Sequence, residues 1–320
     1  MNVYSAADSV SATRPNTILD ISHVCKKYPL FELNDVSFSL NKGSIMGFIG
    51  RNGAGKSTTL KALFNIVHPD SGAINFFGLA YAGNEQEIKN RVAFSAGAFE
   101  YYQNKPLKTI TDVTRRFYSN WDQPLYERYL ADFKLDERKT PAKLSEGMKV
   151  KYALCLALSH NAELLIFDEP TSGLDPVSRE EVLEIFLGLA RQGKTILFST
   201  HIMSDLEKCA DSITYIQNGR ILDSCAIDTF MARYALVSCP SESSAKECGR
   251  DIKGVRMEKA GVSVLVAKAA DETLENISEC FARINDSESV RVTQPTLEEI
   301  MVHLEAHAQQ TSRQGDEADV

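Results

Sequence analysis

The feature that most constrains this chain is a glycine-rich segment with the pattern GxxxxGK[ST], Gly50-Arg51-Asn52-Gly53-Ala54-Gly55-Lys56-Ser57-Thr58. It follows Ser44–Ile49, a run that is apolar on both faces, as in a strand buried within a parallel sheet. A helical pattern begins near Lys56. A buried strand that passes through a glycine-rich loop into a helix predicts an α/β fold with a parallel sheet.

The residue types in this loop indicate that it holds phosphate groups. Glycines let the backbone curl so that successive N–H groups and the helix N-terminus face an anion. Lys56 brings a positive charge to the β- and γ-phosphates of a nucleotide, and Ser57 offers a hydroxyl to Mg²⁺. A glycine turn without a ligand would need neither side chain. The predicted nucleotide-binding residues of the loop are Gly50, Arg51, Asn52, Gly53, Ala54, Gly55, Lys56, Ser57 and Thr58.

A second buried strand ends in two adjacent acids. Leu164–Phe167 is apolar throughout and is followed by Asp168 and Glu169. A carboxylate at the C-terminal edge of a parallel sheet can reach a metal ion bound with the phosphates, so we assign Asp168 as a Mg²⁺ ligand together with Ser57. Because consecutive strand residues point to opposite sides, Glu169 can instead polarise the water that attacks the γ-phosphate. We assign Glu169 as the general base.

Strand and helix patterns predict a layered domain around these motifs. Alternating β-branched and aromatic residues in Thr17–Leu40 predict paired strands in an antiparallel layer. A third buried strand, Thr195–Ser199, follows the helical pattern of Pro176–Arg191, which is the alternation typical of a parallel sheet. From about residue 91 to 160 the sequence is mainly helical and rich in aromatic residues. We interpret this part as an inserted helical subdomain whose aromatic side chains form its core.

The pattern changes after Asp228, where short strands and helices follow in an order similar to a β-α-β-β-α-β unit with a terminal helix. The ends of the chain are polar, as in segments without fixed structure. The predicted organisation is a disordered leader (1–16), a nucleotide-binding domain (17–228) with its helical subdomain (91–160), a small α+β domain (229–308) and a flexible tail (309–320).

Charge and composition exclude several classes of protein. The 320 residues carry a formal net charge of −8, which disfavours a nucleic-acid partner held by a general basic surface, and no such partner is expected. The seven cysteines are scattered, without a CxxC pair, as in a reduced intracellular protein. No stretch approaches the roughly 18 apolar residues of a membrane span. Any role at a membrane is therefore expected to depend on a partner.

Further motifs follow in the order typical of ABC ATPases, and the chain resembles that family over roughly residues 17–225. Leu144–Met148 reads LSEGM and resembles the family's LSGGQ signature at the start of a helix. Ser172–Asp175 matches the D-loop, and His201 follows the third buried strand as the switch histidine does. Tyr28 falls where the family stacks an aromatic ring on adenine. The joint order of these motifs carries the resemblance, since each alone is weak.

The resemblance implies a P-loop NTPase fold with a RecA-like α/β core, an antiparallel β layer and an inserted helical subdomain, plus the small C-terminal α+β domain. In the family two subunits pack head to tail, so that ATP on one subunit's phosphate loop is covered by the other's signature helix. Ser145 and Gly147 would then contact the γ-phosphate in trans, and Asp175 would link the two sites. His201 would hold the geometry of the γ-phosphate and the water.

Two departures from the family pattern stand out. The signature carries Glu146 and Met148 where the common pattern has Gly and Gln, which we expect to alter affinity without abolishing activity. The strand at residues 92–95 is not followed by the expected Q-loop glutamine; the nearby options are Gly97, Glu100 and Gln103.

We therefore expect an ATPase that uses ATP and Mg²⁺, works as a dimer, most simply a homodimer, and drives export through a separate integral membrane permease. Pro295–Ile300 resembles the closing segment of many export-type subunits, although a terminal helix packing on its own domain would give the same letters. Such a subunit would lie in the cytoplasm, peripheral on the inner face of the membrane.

Two alternatives are weighed against this. A soluble ABC ATPase acting on ribosomes or DNA usually carries two cassettes or a long coiled coil, and the sequence has neither. A regulator that binds ATP without hydrolysis would lack Glu169 or His201, and both are present.

Overall fold

The computed structural model describes residues 16–96, 102–241, 248–259, 261–283 and 290–318. In chain order the strands are β1 (Thr17–Tyr28), β2 (Phe31–Asn41), β3 (Ile45–Ile49), β4 (Ser71–Phe76), β5 (Leu79–Ala80), β6 (Val92–Ala96), β7 (Leu164–Asp168), β8 (Thr195–Thr200), β9 (Ser212–Gln217), β10 (Arg220–Ala226), β11 (Tyr234–Cys239), β12 (Ile252–Glu258), β13 (Gly261–Ala267) and β14 (Arg291–Thr293).

The helices are α1 (Lys56–Leu63), α2 (Glu85–Arg91), α3 (Leu107–Thr114), α4 (Gln123–Asp132), α5 (Glu146–Ser159), α6 (Pro176–Arg191), α7 (Met203–Cys209), α8 (Ile227–Ala232), α9 (Leu274–Ala282) and α10 (Leu297–Ala318). Short 3₁₀ turns occur at Arg115–Phe117 and Pro141–Lys143. By contact density the chain divides into two compact units, Met1–His201 with Cys209–Ser224, and Ile202–Lys208 with Cys225–Val320.

The antiparallel layer predicted for the first 40 residues is confirmed. Its strands lie in the order β2-β1-β4-β5, and the alternating pattern of β1 and β2 sends every second side chain into a shared core. Phe38 of β2 stacks on Phe48 of β3, with ring centroids 5.4 Å apart. Helix α1 completes this core with Leu60, which is fully buried. The phosphate loop is thus anchored to two sheets at once.

The second sheet of this unit has the order β10-β9-β3-β8-β7-β6, and β3, β6, β7, β8 and β9 pair in parallel. All five residues of β3 are buried, as its uninterrupted apolar run predicts. Because parallel strands share one C-terminal edge, Gly50 after β3, Asp168 at the end of β7 and His201 after β8 emerge along the same side. This edge carries the site.

The segment predicted to be a helical subdomain contains helices α3, α4 and α5. Its first element is strand β6, which precedes these helices. Tyr126 and Tyr152 are buried, and their hydroxyls lie 2.9 and 2.8 Å from Oγ1 of Thr111. Trp121 packs against the same core. These aromatic side chains form a packed interior, in agreement with the sequence interpretation.

The C-terminal unit contains an antiparallel sheet in the order β12-β13-β11-β14. Val237, Val264 and Phe281 are fully buried between this sheet and α9. The predicted order of strands and helices is met from β12 onward, whereas the helix expected between β11 and β12 falls partly on residues 242–247, outside the described residues. The predicted boundary at residue 228 lies inside α8, so the domain limits stay a proposal.

Helix α10 continues to Ala318, into the segment predicted to be a flexible tail from Gln309. Residues 309–318 contain no proline, and their glutamine, arginine, glutamate and alanine residues favour a helix, whereas Gly315 does not. The flexibility of this tail stays a prediction. Residues 1–15 of the predicted leader lie outside the described residues. Among the helices described, none is long and apolar enough to cross a membrane.

Candidate functional site

The glycine-rich loop turns tightly between β3 and α1. Gly55, directly before α1, has φ +116°, and a Cβ there would lie 2.8 Å from Cδ2 of Leu33 and 3.0 Å from Cζ of Phe31. A Cβ on Gly50 would lie 2.3 Å from the carbonyl oxygen of Ile216. Both positions therefore need glycine, which lets the backbone N–H groups of the loop point outward at the N-terminus of α1.

Lys56 lies beneath this loop, with only 6% of its side chain exposed. Its Nζ donates to the carbonyl oxygens of Gly50 (2.6 Å) and Arg51 (3.3 Å) and lies 3.7 Å from Oε1 of Glu169. A buried ammonium group must be compensated by hydrogen bonds and charge, and here both are present. The loop is thus shaped around one positive charge placed at an anion-binding helix end.

The two acids at the end of β7 are held by the neighbouring strand. Strand pairing sets Asp168 opposite Ser199 of β8. The Ser199 hydroxyl donates to Oδ1 of Asp168 at 2.5 Å, and Oγ of Ser199 accepts from the backbone N–H of Glu169 at 2.9 Å. Ser199 is fully buried. It binds the carboxylate of Asp168 and the backbone N–H of Glu169, and sequence reasoning missed it.

Glu169 is at the centre of the site. Its backbone has φ +53°, an uncommon conformation for a residue with a side chain. Oε2 accepts a hydrogen bond from Nδ1 of His201 at 2.6 Å, while Oε1 faces Lys56. The side chain of Glu169 is 25% exposed and that of His201 53% exposed. A water molecule can therefore reach this carboxylate.

An open cleft of about 630 Å³ lies over these groups. Phe31, next to the loop, is among its lining residues, and Tyr28 stacks on Phe31 with ring centroids 6.5 Å apart. Phe31 pairs with Tyr28 across the turn between β1 and β2. Tyr28 stays the ring predicted to stack on adenine. The lining residues are Leu30, Phe31, Arg51, Asn52, Gly53, Gly55, Lys56, Ser57, Thr58, Glu169, Ser172 and His201.

The LSEGM segment forms the N-terminus of α5. Ser145 is the N-cap, and its Oγ accepts from the backbone N–H of Met148 at 3.3 Å. The carboxylate of Glu146 lies 2.6 Å from Nζ of Lys149, whose side chain is only 13% exposed. The negative charge that the sequence places at this helix end therefore has a cation of the same helix beside it.

The start of α6 packs against this helix end. A Cβ on Gly147 would lie 3.1 Å from Cβ of Ser178. The Ser178 hydroxyl donates to Oδ2 of Asp175 at 2.6 Å, and Asp175 caps α6 by accepting from two backbone N–H groups. The Ser178 hydroxyl and these N–H groups hold the pKa of the Asp175 carboxyl below its usual value. Ser145, Gly147 and Asp175 are thus brought to one region by local caps.

A small cavity of about 30 Å³ connects this region with the acids of the same chain. Glu146 and Lys149 line it from α5, and Asp168 and Glu169 line it from the end of β7. Such a volume is enough for one water molecule. The start of α5 and the two acids at the end of β7 therefore adjoin within one chain.

A family model described as ABC transporter matches residues 33–172. The bacitracin transport ATP-binding protein BcrA of Bacillus licheniformis is 32% identical over 222 residues, which cover 68% of this chain and 72% of that protein. The Nod factor export ATP-binding protein I of Burkholderia orbicola is 35% identical over 212 residues, covering 63% and 68%. A solved ATP-binding subunit of an ABC transporter superposes with a TM-score of 0.60 at 30% identity, over 67% of this chain and 91% of that one.

This chain is an ABC transporter ATP-binding protein. The predicted P-loop NTPase fold is confirmed, and the membership makes the chain an ATPase. In this ABC protein the phosphate loop, Glu169 and His201 meet in one cleft, as the sequence motifs predict.

The donor set of this ABC protein suits Mg²⁺. Ser57 is exposed in the cleft and Asp168 ends β7, so both offer oxygen atoms, which Mg²⁺ prefers. No cluster of three or more metal-binding side chains occurs in the part of the chain that the structure describes, as expected for an ion that completes its coordination with phosphate oxygens and water. The roles of Ser57 and Asp168 as ligands stay a proposal.

Three residues were considered for the position of the Q-loop glutamine. Gly97 and Glu100 lie outside the described residues. Gln103 is described, half-buried in a turn before α3, and its carbonyl oxygen accepts from the backbone N–H of Ala142. Its backbone thus ties that turn to the segment before the signature.

Proposed function

We propose that this ABC protein works as a homodimer whose ATP hydrolysis drives the export of a substrate through a separate integral membrane permease. The contact of Glu169 with both Lys56 and His201 is the observation that carries the hydrolytic part, since a base, a phosphate-binding cation and an orienting imidazole face one cleft. The names of two relatives, one for bacitracin transport and one for Nod factor export, support the transport part.

In this proposal the loop residues bind the nucleotide. The backbone N–H groups of residues 50–58 and the N-terminus of α1 hold the phosphates, and Lys56 shifts from the loop carbonyls toward the β- and γ-phosphate oxygens. Phe31, backed by Tyr28, offers an aromatic surface at the rim of the cleft for the base of the nucleotide. Ser57 and Asp168 would hold Mg²⁺, which would supply positive charge to the phosphate groups.

Glu169 is the general base in this account. Its carboxylate accepts the proton of the attacking water, and His201 holds the carboxylate in place and contacts the γ-phosphate. Ser199 holds the carboxylate of Asp168 and the backbone of Glu169. In this proposal the Asp168 carboxylate serves the metal and the Glu169 carboxylate serves the water. Inorganic phosphate leaves after hydrolysis. Its negative charge, which Lys56 compensates in the bound state, leaves the site with it.

The second subunit completes each site. Ser145 and the N–H of Gly147 form an anion-binding helix end, and neither is among the residues lining the cleft of their own chain. A partner's γ-phosphate is the ligand that suits such an end, and Asp175 beside it would face the partner's site. This supports a head-to-tail dimer.

The permease assignment is tested by affinity purification of the tagged full chain from detergent-solubilised membranes, followed by mass spectrometry. A stoichiometric polytopic membrane protein is the expected result and would place the chain on the cytoplasmic side of a membrane. Ribosomal or DNA-repair partners without a membrane protein would overturn the export proposal and favour a soluble ABC ATPase.

A further inference from the structure

Two thiols of the C-terminal unit lie side by side. Cys280 is on α9, and its Sγ lies 3.9 Å from the carbonyl oxygen of Cys248, shortly before β12. The two thiol groups are also close enough to influence each other's ionisation. Both are half-buried, so small molecules can reach them. The pair is distant in sequence and adjacent in the fold.

A buried cation accompanies this pair. Nη2 of Arg250 donates to Oε1 of Glu272 at 2.5 Å, with 17% of the arginine side chain exposed. Its guanidinium also interacts with the Cys280 sulfur, while Nε is buried and has no hydrogen-bond partner among the residues that the structure describes. A thiolate or an oxidised sulfur at Cys280 would give this cation a further partner.

The two thiols differ in acidity. The hydrogen bond from Cys248 lowers the pKa of Cys280, and the Arg250 guanidinium acts in the same direction. Burial raises the pKa of Cys248 to about 11. Because the thiolate is the reactive form, Cys280 is suited to be the nucleophile and Cys248 the resolving thiol.

We propose that Cys280 and Cys248 are a peroxide-reactive thiol pair that closes into an intramolecular disulfide. The Cys280 thiolate attacks one oxygen of hydrogen peroxide, the O–O bond breaks, and the hydroxide that leaves takes a proton to become water. The Cys248 sulfur then attacks the Cys280 sulfenic acid, the S–O bond breaks and a second water leaves. The peroxide is reduced and the two thiols are oxidised to one disulfide.

The test uses the full chain treated with increasing hydrogen peroxide and mapped by mass spectrometry without reduction. The expected product is a disulfide between Cys248 and Cys280 within one chain, at peroxide concentrations that leave Cys25 reduced. Cys25 is a matched control because it is also half-buried and its Sγ lies 3.7 Å from the carbonyl oxygen of His23.

Two variants separate the roles. Cys248→Ser should stop at a sulfenic acid on Cys280, which dimedone traps, whereas Cys280→Ser should leave Cys248 as a free thiol. Oxidation of Cys25 at the same peroxide concentration, a sulfenic acid first on Cys248, or disulfides only between chains would each overturn the proposal. None of these outcomes depends on ATP hydrolysis. The test of the thiol pair is therefore independent of the proposed transport function.

Discussion

Oε2 of Glu169 lies 2.6 Å from Nδ1 of His201, and Oε1 of the same carboxylate lies 3.7 Å from Nζ of Lys56. The carboxylate therefore joins His201 to Lys56. Glu169→Gln should lower kcat for ATP by about 10²- to 10⁴-fold, because the amide cannot take the proton of the attacking water. ATP affinity should stay near that of the native chain. Phosphate release and equilibrium nucleotide binding measure the two effects.

Glu184→Gln is the control for that variant, since Glu184 is exposed on α6. It should leave both values unchanged. Native turnover in Glu169→Gln would remove Glu169 as the base.

Lys56→Ala should weaken ATP binding by about 10- to 100-fold, the equivalent of one lost hydrogen bond to a charged group. The loss should appear mainly in the dissociation constant, because Lys56 contacts phosphate before the reaction begins. Titration calorimetry with a non-hydrolysable ATP analogue measures it. Lys61→Ala, on the exposed side of the same helix, is the control. Equal affinities for ATP in the native chain and in Lys56→Ala would contradict the assignment of the phosphate loop.

Ser199→Ala should lower both stability and turnover, because one buried hydroxyl links Asp168 to the backbone of Glu169. We expect a loss of about 1 to 3 kcal/mol in the free energy of unfolding, with a fall in kcat. Urea unfolding and steady-state kinetics test this together. Ser159→Ala is the matched control, since its hydroxyl is also buried and donates to the carbonyl oxygen of Cys155 at 2.5 Å. That control should lose stability without losing kcat.

Lys149→Met should raise the KM for ATP, because it leaves the Glu146 carboxylate without its cation at the helix end proposed to meet a γ-phosphate. The double variant Glu146→Gln with Lys149→Met should recover most of the loss, since the uncompensated charge is gone. Lys151→Met is the control: Lys151 pairs with Glu181 at the same distance of 2.6 Å, further along the helix. If Lys151→Met raises KM as much as Lys149→Met, the electrostatic account is wrong.

His160 predicts a pH dependence of stability. Its ring is stacked on Tyr118 with centroids 3.8 Å apart, and burial lowers its pKa to about 4, with Lys194 acting in the same direction. The unfolded chain binds a proton here below about pH 6.5, so folded-state stability falls as the pH drops from about 6.5 to about 4. The full loss is about 3 kcal/mol.

Urea unfolding at pH 7.5 and pH 4.5 measures this for the native chain and for His160→Gln. The native chain should lose about 2 to 3 kcal/mol more than the variant between these two pH values. Equal losses would show that His160 does not titrate as its burial implies.

Much of the fold and the centre of the site follow from the sequence. Apolar runs on both faces identify β3 and β7, and a lysine and hydroxyl after glycines identify the loop, because these patterns have few other physical causes. The motif positions place Asp168, Glu169 and His201 at the edge where the parallel strands end. This placement depends only on the direction of the strands.

Other features depend on pairing that local patterns do not encode. The role of Ser199 depends on the register of β8 against β7, and Phe31 lies beside Tyr28 because of the turn between β1 and β2. The pairing of Lys149 with Glu146 was available from their helical spacing, since side chains three residues apart lie on the same face. The extension of α10 shows that polar composition does not by itself end a helix.

In the proposed dimer two chains form each ATP site, and the molar mass of the Glu169→Gln variant in solution tests this arrangement. Size-exclusion chromatography with light scattering should show a monomer without nucleotide and a dimer with Mg²⁺ and ATP. Adding Ser145→Asp should abolish the dimer, because an aspartate keeps the N-cap of α5 and places a negative charge against the partner's γ-phosphate. A Glu169→Gln chain that binds ATP yet stays monomeric at every nucleotide concentration would contradict the account.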